Sequence, residues 1–323
     1  MTTLTAFRGF LGKRPYAFAG LLTLTLFLVD VAVQPAFAAF SNWATVLASF
    51  APLAVAAMAS TPAILSGGGG IDISIGPALT LVNIVIVADL LPHGLSSPMV
   101  VIPICLAIGT AIGAVNGFMV AVLRFQPVVA TLCANIIISG LATQLQGDSV
   151  PAGSTGWTKD LAGSFGPVPG AVLTIGAPLL IWLLLARTPF IKALYAVGGD
   201  DATAFSAGVN VPMVRIAAYA LGGLFAAIAG IALMSLINEG SASMATQYTL
   251  LAIASVALGG TALSGGRGSL LGSLLGAGSI YLIDNLLNEV HVSTLWSTAI
   301  YGAMLVFAVV VGAVLTDTRR RVA

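Results

Sequence analysis

Apolar residues in this chain come in runs about as long as a membrane-crossing helix, with short polar breaks between them. A helix needs ~20 apolar residues to cross the hydrocarbon core of a bilayer. The runs cover 16–34, 44–65, 77–91, 98–123, 127–146, 169–186, 213–238, 248–263, 269–287 and 293–315. This pattern predicts an all-α polytopic membrane protein of about ten transmembrane helices, with residues 1–323 forming a single transmembrane domain. Two breaks are longer than the rest. Residues 147–168 are rich in Gly, Ser and Pro and carry Asp148, Lys159 and Asp160, which predicts an exposed outer loop. Residues 188–212 are too polar for hydrocarbon and too patterned for a slack linker. Pro189 ends the preceding helix, and Gly198-Gly199 permit a tight turn. Asp200 or Asp201 can cap a short helix through Ala202, Ala204 and Phe205; Gly208 can close it and Pro212 can start the next element. The segment reads as turn, short helix, turn on one membrane face. A docking surface and a plain connection both remain open from this pattern alone.

Charge fixes the expected orientation. With the N-terminus inside, ten spans put 11 of the 12 basic residues on the inner side and leave Lys159 outside. That is the asymmetry expected of cytoplasmic loops. It predicts cytoplasmic N- and C-termini and a cytoplasmic 188–212 segment. The start of the chain mimics a signal peptide, with Arg8, Lys13 and Arg14 before an apolar run and Ala36-Phe37-Ala38 after it. The run is long and holds Asp30, so an uncleaved first span is expected.

Composition then excludes several classes. Of 323 residues, 58% are apolar and 7% charged, against about 25% charged in a soluble domain. No second soluble domain fits. A net charge of +1 without a basic patch gives no footprint for nucleic acid. Cys105 and Cys133 sit inside apolar runs, as small packing residues do. His93 and His291 stand alone in short loops and make no metal site. No His-Glu-x-x-His or Gly-x-Ser-x-Gly element suggests a catalytic centre.

Small residues recur every fourth position in three spans: Gly109, Gly113 and Gly117; Ala218, Gly222, Ala226 and Gly230; Gly268, Gly272 and Gly276. Lipid gives no hydrophobic drive between helices, so close backbone approach holds a bundle together, and these stripes predict tight seams. The rival reading is a pore lining.

Leu65-Ser-Gly-Gly-Gly-Gly70 and Leu263-Ser-Gly-Gly-Arg-Gly268 echo each other, which suggests an internal repeat. Leu-Ser-Gly-Gly also mimics the signature of ABC ATPase domains, yet no Gly-x-x-x-x-Gly-Lys loop occurs, so the chain is not expected to bind ATP. In the first motif the glycines stop a helix, Asp72 or Ser74 can cap a new one, and Pro77 fits its first turn. The result would be a half-helix presenting free N–H groups, of the kind that faces a transport path. A charged Asp within a span costs ~2.5–3.5 kcal/mol on insertion scales, so Asp72 needs a partner or water. It either caps its own helix or serves a gate. The other polar residues within spans include Asn83, Asn116, Asn135, Asp284 and Asn285. Such groups suit a neutral polyhydroxy solute, although a lone Asn also serves as an interhelical bond. Candidates for the gate or path are therefore Gly70, Asp72, Ser74, Asn83, Asn116, Asn135, Asp284 and Asn285.

Three stretches together resemble a known family. Gly70-Ile-Asp-Ile-Ser-Ile-Gly76, Ala196-Val-Gly-Gly199 with Ala202, Ala204 and Gly208-Val-Asn-Val211, and Ile253 through Gly268 are similar, in order, to motifs of the ribose-type permeases of ABC sugar importers. The resemblance covers about residues 15–315. Two extra glycines lengthen the first motif; Asp200 stands where the family often has Asn, and Phe205 where it often has a basic residue. The resemblance implies a bacterial inner-membrane permease that is not itself an enzyme. It implies a second permease chain, a cytoplasmic ATPase with two nucleotide-binding domains that holds ATP and Mg, and an extracytoplasmic sugar-binding protein that delivers a monosaccharide. Gly198, Gly199, Asp200, Asp201, Ala202, Ala204 and Gly208 would then couple to the ATPase, with Asp72 in the gate. The alternative is an ATP-independent secondary transporter or channel for a small polar solute.

Overall fold

The computed structural model describes residues 16–146 and 156–293, together with residues 296, 299, 300, 302, 303 and 306. The first helix, α1 (Tyr16–Val33), is followed by two short 3-10 turns and by α2 (Trp43–Leu65). After the first glycine motif comes α3 (Ile75–Ile84), which runs on through a π-helical segment, Val85–Leu90. Two long helices follow, α4 (Pro98–Ala121) and α5 (Pro127–Gln146).

Beyond them lie a short helix, α6 (Gly156–Ala162), and a small antiparallel hairpin of β1 (Ser164–Phe165) and β2 (Val168–Pro169). The expected loop over 147–168 is thus structured over its described part. Trp157 fastens α6 by donating its indole N–H to the Ser96 carbonyl at 2.8 Å.

The second half comprises α7 (Ala171–Leu185), α8 (Pro189–Gly199), α9 (Asp201–Ser206), α10 (Val211–Ile237), α11 (Ala245–Leu258) and α12 (Leu270–Glu289). Among the described residues, six helices are long and apolar enough to cross a membrane, or seven if the bent pair α7–α8 counts as one span. The chain is an all-α, multi-pass membrane protein. Of the ten spans expected, those assigned to 77–91 and 248–263 are short: α3 with its π segment, and α11, are apolar helices below full spanning length. The span expected over 293–315 lies mostly outside the described residues.

Two helices form the hub. Every residue of α2 from Ala51 to Leu65 is buried, and so is most of α10. Helices surrounded by protein need small side chains to let neighbours in, and α2 supplies Ala51, Ala54, Ala56, Ala57, Ala59 and Ala63. Met58, Ile75, Leu79, Phe225 and Leu233 fill the space between α2, α3 and α10. The half-helix α3 is buried over its whole length. The outer helices instead expose large apolar side chains such as Leu28, Ile136, Ile137 and Leu183. In lipid that is the expected surface.

Each of the three stripes sits in a different seam. Gly109, Gly113 and Gly117 of α4 lie against the α10 backbone at Gly223, Tyr219 and Ile216. Gly272 and Gly276 of α12 lie against Gly259 and Ser255 at the end of α11, while Gly268 precedes the helix and packs on Thr261. On α10, Gly222 faces Ala59 of α2 and Gly230 faces Leu79 and Val82 of α3. The α10 stripe therefore meets α2 and α3, while α4 packs on α10 at Ile216, Tyr219 and Gly223. α1 docks along α12: the Thr23 hydroxyl donates to the Leu275 carbonyl at 2.8 Å, and Asn285 donates to Asp30 at 2.7 Å.

Candidate functional site

The three motif stretches, far apart in sequence, meet at one end of the bundle. Gly266 donates its N–H to the Leu65 carbonyl at 3.1 Å. A β-carbon on Gly67 would come within 2.8 Å of the Gly198 backbone, one on Gly266 within 2.6 Å of Gly199, and one on Gly198 would overlap the Leu65 carbonyl. Three backbones thus touch with no side chain between them. Gly67 and Gly265, equivalent positions of the two Leu-Ser-Gly-Gly echoes, lie against each other, and both have positive φ, +73° and +94°. Only glycine takes that conformation routinely and leaves the space clear. Tyr195 on α8 clamps the third strand of this junction, its hydroxyl donating to the Gly268 carbonyl at 2.8 Å.

The polar segment that follows α7 is laid across this junction. Its first helix, α8, turns 89° from α7. It buries Ile191, Leu194 and Val197, one face at helical spacing, and exposes Lys192. Gly198 and Gly199 form the last turn of α8 rather than the tight turn expected of them. A β-carbon on Gly198 would collide with the Leu65 carbonyl and Gly266, whereas one on Gly199 would meet nothing. Asp200 then stands extended and caps α9. Its carboxylate accepts from the Ala202 N–H (3.0 Å), the Thr203 N–H (3.1 Å) and the Thr203 hydroxyl (2.9 Å). The Thr203 N–H and hydroxyl, with help from Ala202, hold the Asp200 carboxyl below its ordinary range. Gly208, at φ +85°, ends α9 with paired bonds: Gly208 N–H to the Phe205 carbonyl and Val209 N–H to the Ala204 carbonyl. This is the Schellman arrangement of a helix C-terminus. Ala204 alone of α9 is buried; Asp201, Ala202, Thr203 and Phe205 are exposed.

Asp201 does not cap. It accepts from Arg215 Nη2 at 2.9 Å. Arg215 lies against Gly68, where a β-carbon would meet its guanidinium. A cleft of about 580 Å³ opens beside this pair, lined by Gly67, Gly68, Arg124, Asp201, Phe205 and Arg215. Neither Arg215 nor Asn210, which caps α10 through the Met213 N–H at 3.1 Å, was singled out from sequence. Asn210 two positions before Pro212 is a cap signal that was there to read.

Beneath the junction lies the start of α3. Asp72 is 2% exposed and accepts the Ser74 N–H (2.8 Å) and the Ser74 hydroxyl (2.7 Å), while Asn116 on α4 donates to the Ser74 Oγ at 2.7 Å. Asp72 or Ser74 was expected as the cap of α3; Ser74 holds the N-cap position, but its side chain turns back to Asp72 in an Asx-type turn. The cap comes from other helices. Thr249 of α11 accepts the Gly76 N–H at 3.1 Å, and Thr131 of α5 accepts the Ile73 N–H at 3.2 Å. Asn135 donates to the Ile73 carbonyl at 3.0 Å. The N–H groups of Ile73, Ser74 and Gly76, expected to face a path, are therefore taken by protein side chains.

Gly70, Asp72, Ser74, Asn116 and Asn135 are thus brought together. The remaining three gate candidates are not. Asn83, at the far end of α3, donates to the Glu239 carbonyl and accepts from the Ser241 N–H, both at 2.9 Å, and so ties the α10–α11 connection. Asn285 is the partner of Asp30, and Asp284 is its neighbour on α12. Tyr219 stands one helical turn beyond Arg215 on α10, fully buried and packed with Ala63, Val120 and Ala130. Its position four residues after Arg215 is the signal that could have found it. Two polar groups thus stand at this end of the bundle, Asp201 with Arg215 outside and Asp72 with Ser74 and Asn116 at the buried start of α3.

No carboxylate, histidine or cysteine group that could hold a metal ion occurs among the described residues.

Residues 42–309 match the family described as "Branched-chain amino acid transport system / permease component". The chain is 34% identical over 296 residues to the ribose import permease protein RbsC of Escherichia coli K12, covering 89% of this chain and 90% of that one. It is 33% identical over 297 residues to RbsC of Bacillus subtilis, covering 90% of each. It is 33% identical over 308 residues to the autoinducer 2 import system permease protein LsrC of an Enterobacter strain, covering 94% of this chain and 86% of that one. No solved structure matches.

Proposed function

The chain belongs to the branched-chain amino acid transport system / permease component family, and from that premise we propose that it is the membrane subunit of an ATP-binding-cassette importer for a monosaccharide. ATP and Mg are held and hydrolysed on a separate cytoplasmic chain with two nucleotide-binding domains. A second permease chain completes the path, and an extracytoplasmic binding protein delivers the sugar. The chain sits in the bacterial inner membrane with both termini cytoplasmic and about ten crossings, α3, α7 and α11 being short ones.

The observation that carries this reading is the docking of α8–α9 on the glycine junction. The exposed α9 offers a short, rigid, doubly capped helix to a soluble partner. Behind it, backbone contacts and the Asp201–Arg215 pair connect that helix to two helical hairpins interrupted by the glycine motifs, α2–α3 and α11–α12. A push on α9 would reach α3 and α12 through α8 and the glycine contacts, with the Asp201–Arg215 pair as a second link. The polar groups at the start of α3 are hydroxyls and amides with one carboxylate, which suits a path that does not recognise ions.

Co-purification from the native host tests the proposal. A two-domain ATPase recovered in near-equal amount, with sugar-dependent ATPase activity after the binding protein is added, is the expected result. A chain recovered alone that moves solute in proteoliposomes without ATP would overturn it in favour of a secondary transporter.

A further inference from the structure

At the opposite end of α2 from the glycine junction, two adjoining cavities lie between α1, α2 and α12. One, of about 310 Å³, is rimmed by Gln34, Asn42, Thr45, Ser49 and Asn285. The other, of about 160 Å³, lies between Phe27, Leu47, Phe50 and Leu282, with Trp43 at its side. They share Phe37, Val46 and Tyr281 as a common wall. The first carries most of the amides and hydroxyls, and the second is hydrocarbon apart from Thr23, whose hydroxyl is bonded to Leu275 and Ser279. No charged side chain lines either among the described residues. The polar arm is also held in place. Asn285, on the cavity wall, donates an amide hydrogen to Asp30, which is 1% exposed. Tyr281 packs on Phe50 with ring centroids 5.4 Å apart.

We infer that this two-chambered crevice binds one amphiphile with a neutral, hydroxyl-rich head and an alkyl chain. Amides and hydroxyls donate and accept, as a polyhydroxy head requires. A phosphate head calls for Arg or Lys, and the crevice has neither. An apolar cavity of about 150 Å³ takes a molecule the size of benzene, so the second chamber takes several methylenes, each contributing ~0.8 kcal/mol when buried. A free sugar would leave that chamber unused. The inference is independent of the transport reading, since it concerns the face away from the ATPase-docking end.

Dodecyl glucoside brominated on its chain, titrated into phosphatidylcholine nanodiscs carrying the full chain, reads the site through Trp43 fluorescence, with Trp43→Phe subtracting the other tryptophans. Quenching that saturates at a single probe per chain is expected. Unlabelled dodecyl glucoside should reverse it; glucose and dodecyl phosphate should not. Val46→Phe, which narrows the shared wall, should abolish saturation, and Thr45→Val, which removes one hydroxyl at constant shape, should weaken binding several-fold. Should Val46→Phe fail to fold, Thr45→Val carries the test. Quenching that rises linearly and is the same in Thr45→Val is partition into the bilayer and overturns the inference. Displacement by glucose or dodecyl phosphate as effective as by dodecyl glucoside also overturns it.

Discussion

Arg215 of α10 reaches Asp201 of α9 at 2.9 Å while its guanidinium rests on Gly68 of the first glycine motif. One side chain thus touches the docking helix, the helix leading into the bundle and the loop before α3. The pair is partly exposed, so it is worth at most about 1 kcal/mol to stability. Its larger effect should be on communication. Arg215→Ala is expected to leave membrane insertion and the melting temperature nearly unchanged while sugar-stimulated ATPase falls several-fold in the assembled complex. Asp201→Lys should do the same, and the exchange Asp201→Arg with Arg215→Asp should restore part of the loss. Unchanged stimulation in Arg215→Ala would remove the pair from the coupling route.

The glycine junction makes a sharper prediction about stability. Gly198→Ala places a methyl against the Leu65 carbonyl and Gly266, whereas Gly199→Ala meets nothing within 4 Å. Overpacking of this kind costs ~1–3 kcal/mol. Thermal denaturation in detergent should therefore show a lowered midpoint for Gly198→Ala and little change for Gly199→Ala. Equal midpoints would mean that α8 can lift from the junction freely.

In the α4–α10 seam, Gly113 lies against the Tyr219 carbonyl, while Gly140 on α5 has open space beside it. Gly113→Leu should assemble poorly yet insert normally, with Gly140→Leu as the tolerated control. On α12, Gly272→Leu would collide with Gly259. Normal transport by that variant would contradict a packing role.

Asp200 gives a pH-dependent readout. Its folded-state pKa is lowered, chiefly by the Thr203 N–H and hydroxyl. A depressed carboxyl contributes stability that is present above the unfolded value of about 3.9 and lost as pH falls through the folded one. Protection of the Ala202 and Thr203 amides from hydrogen exchange should thus persist at neutral and mildly acidic pH, fading only below the ordinary carboxylate range. In Asp200→Ala that protection should be absent at every pH.

At the start of α3, Asp72→Asn keeps an oxygen able to accept from Ser74, and Asp72→Leu does not. The first variant should fold with a native melting temperature, and the second should be recovered poorly. Loss of transport in a well-folded Asp72→Asn would assign the negative charge itself to gating, and full transport would leave Asp72 as a turn-forming residue.

Much of this was legible in the sequence. Hydrophobic runs located most of the helices to within a few residues, because length and apolarity are what a bilayer demands. Turn chemistry located α9, since Asp200 and Gly208 bracket it as a helix start and stop. Contacts between motifs were not legible. Gly198 reads as a turn residue, and nothing local says that the Leu65 carbonyl and Gly266 lie against it. The α10 stripe fixed that Ala218, Gly222, Ala226 and Gly230 share a face, but not which helix that face meets. Asn83, Asn116 and Asn285 look alike in sequence, and only the tertiary fold sends one to the α10–α11 connection, one to Ser74 and one to Asp30. The cap of α3 escaped for the same reason: Thr131 and Thr249 come from helices remote in the chain.

Gly67 and Gly265 are counterparts in the two echoing motifs, and Gly198 touches the strand that carries each. Bodies joined to one bearing cannot be turned independently. If α8 tilts, the loops before α3 and α12 must be displaced in the same instant and by comparable amounts. The two hairpins would then open in phase, like paired levers on one shaft, and an intermediate with a single hairpin moved would have no mechanical support.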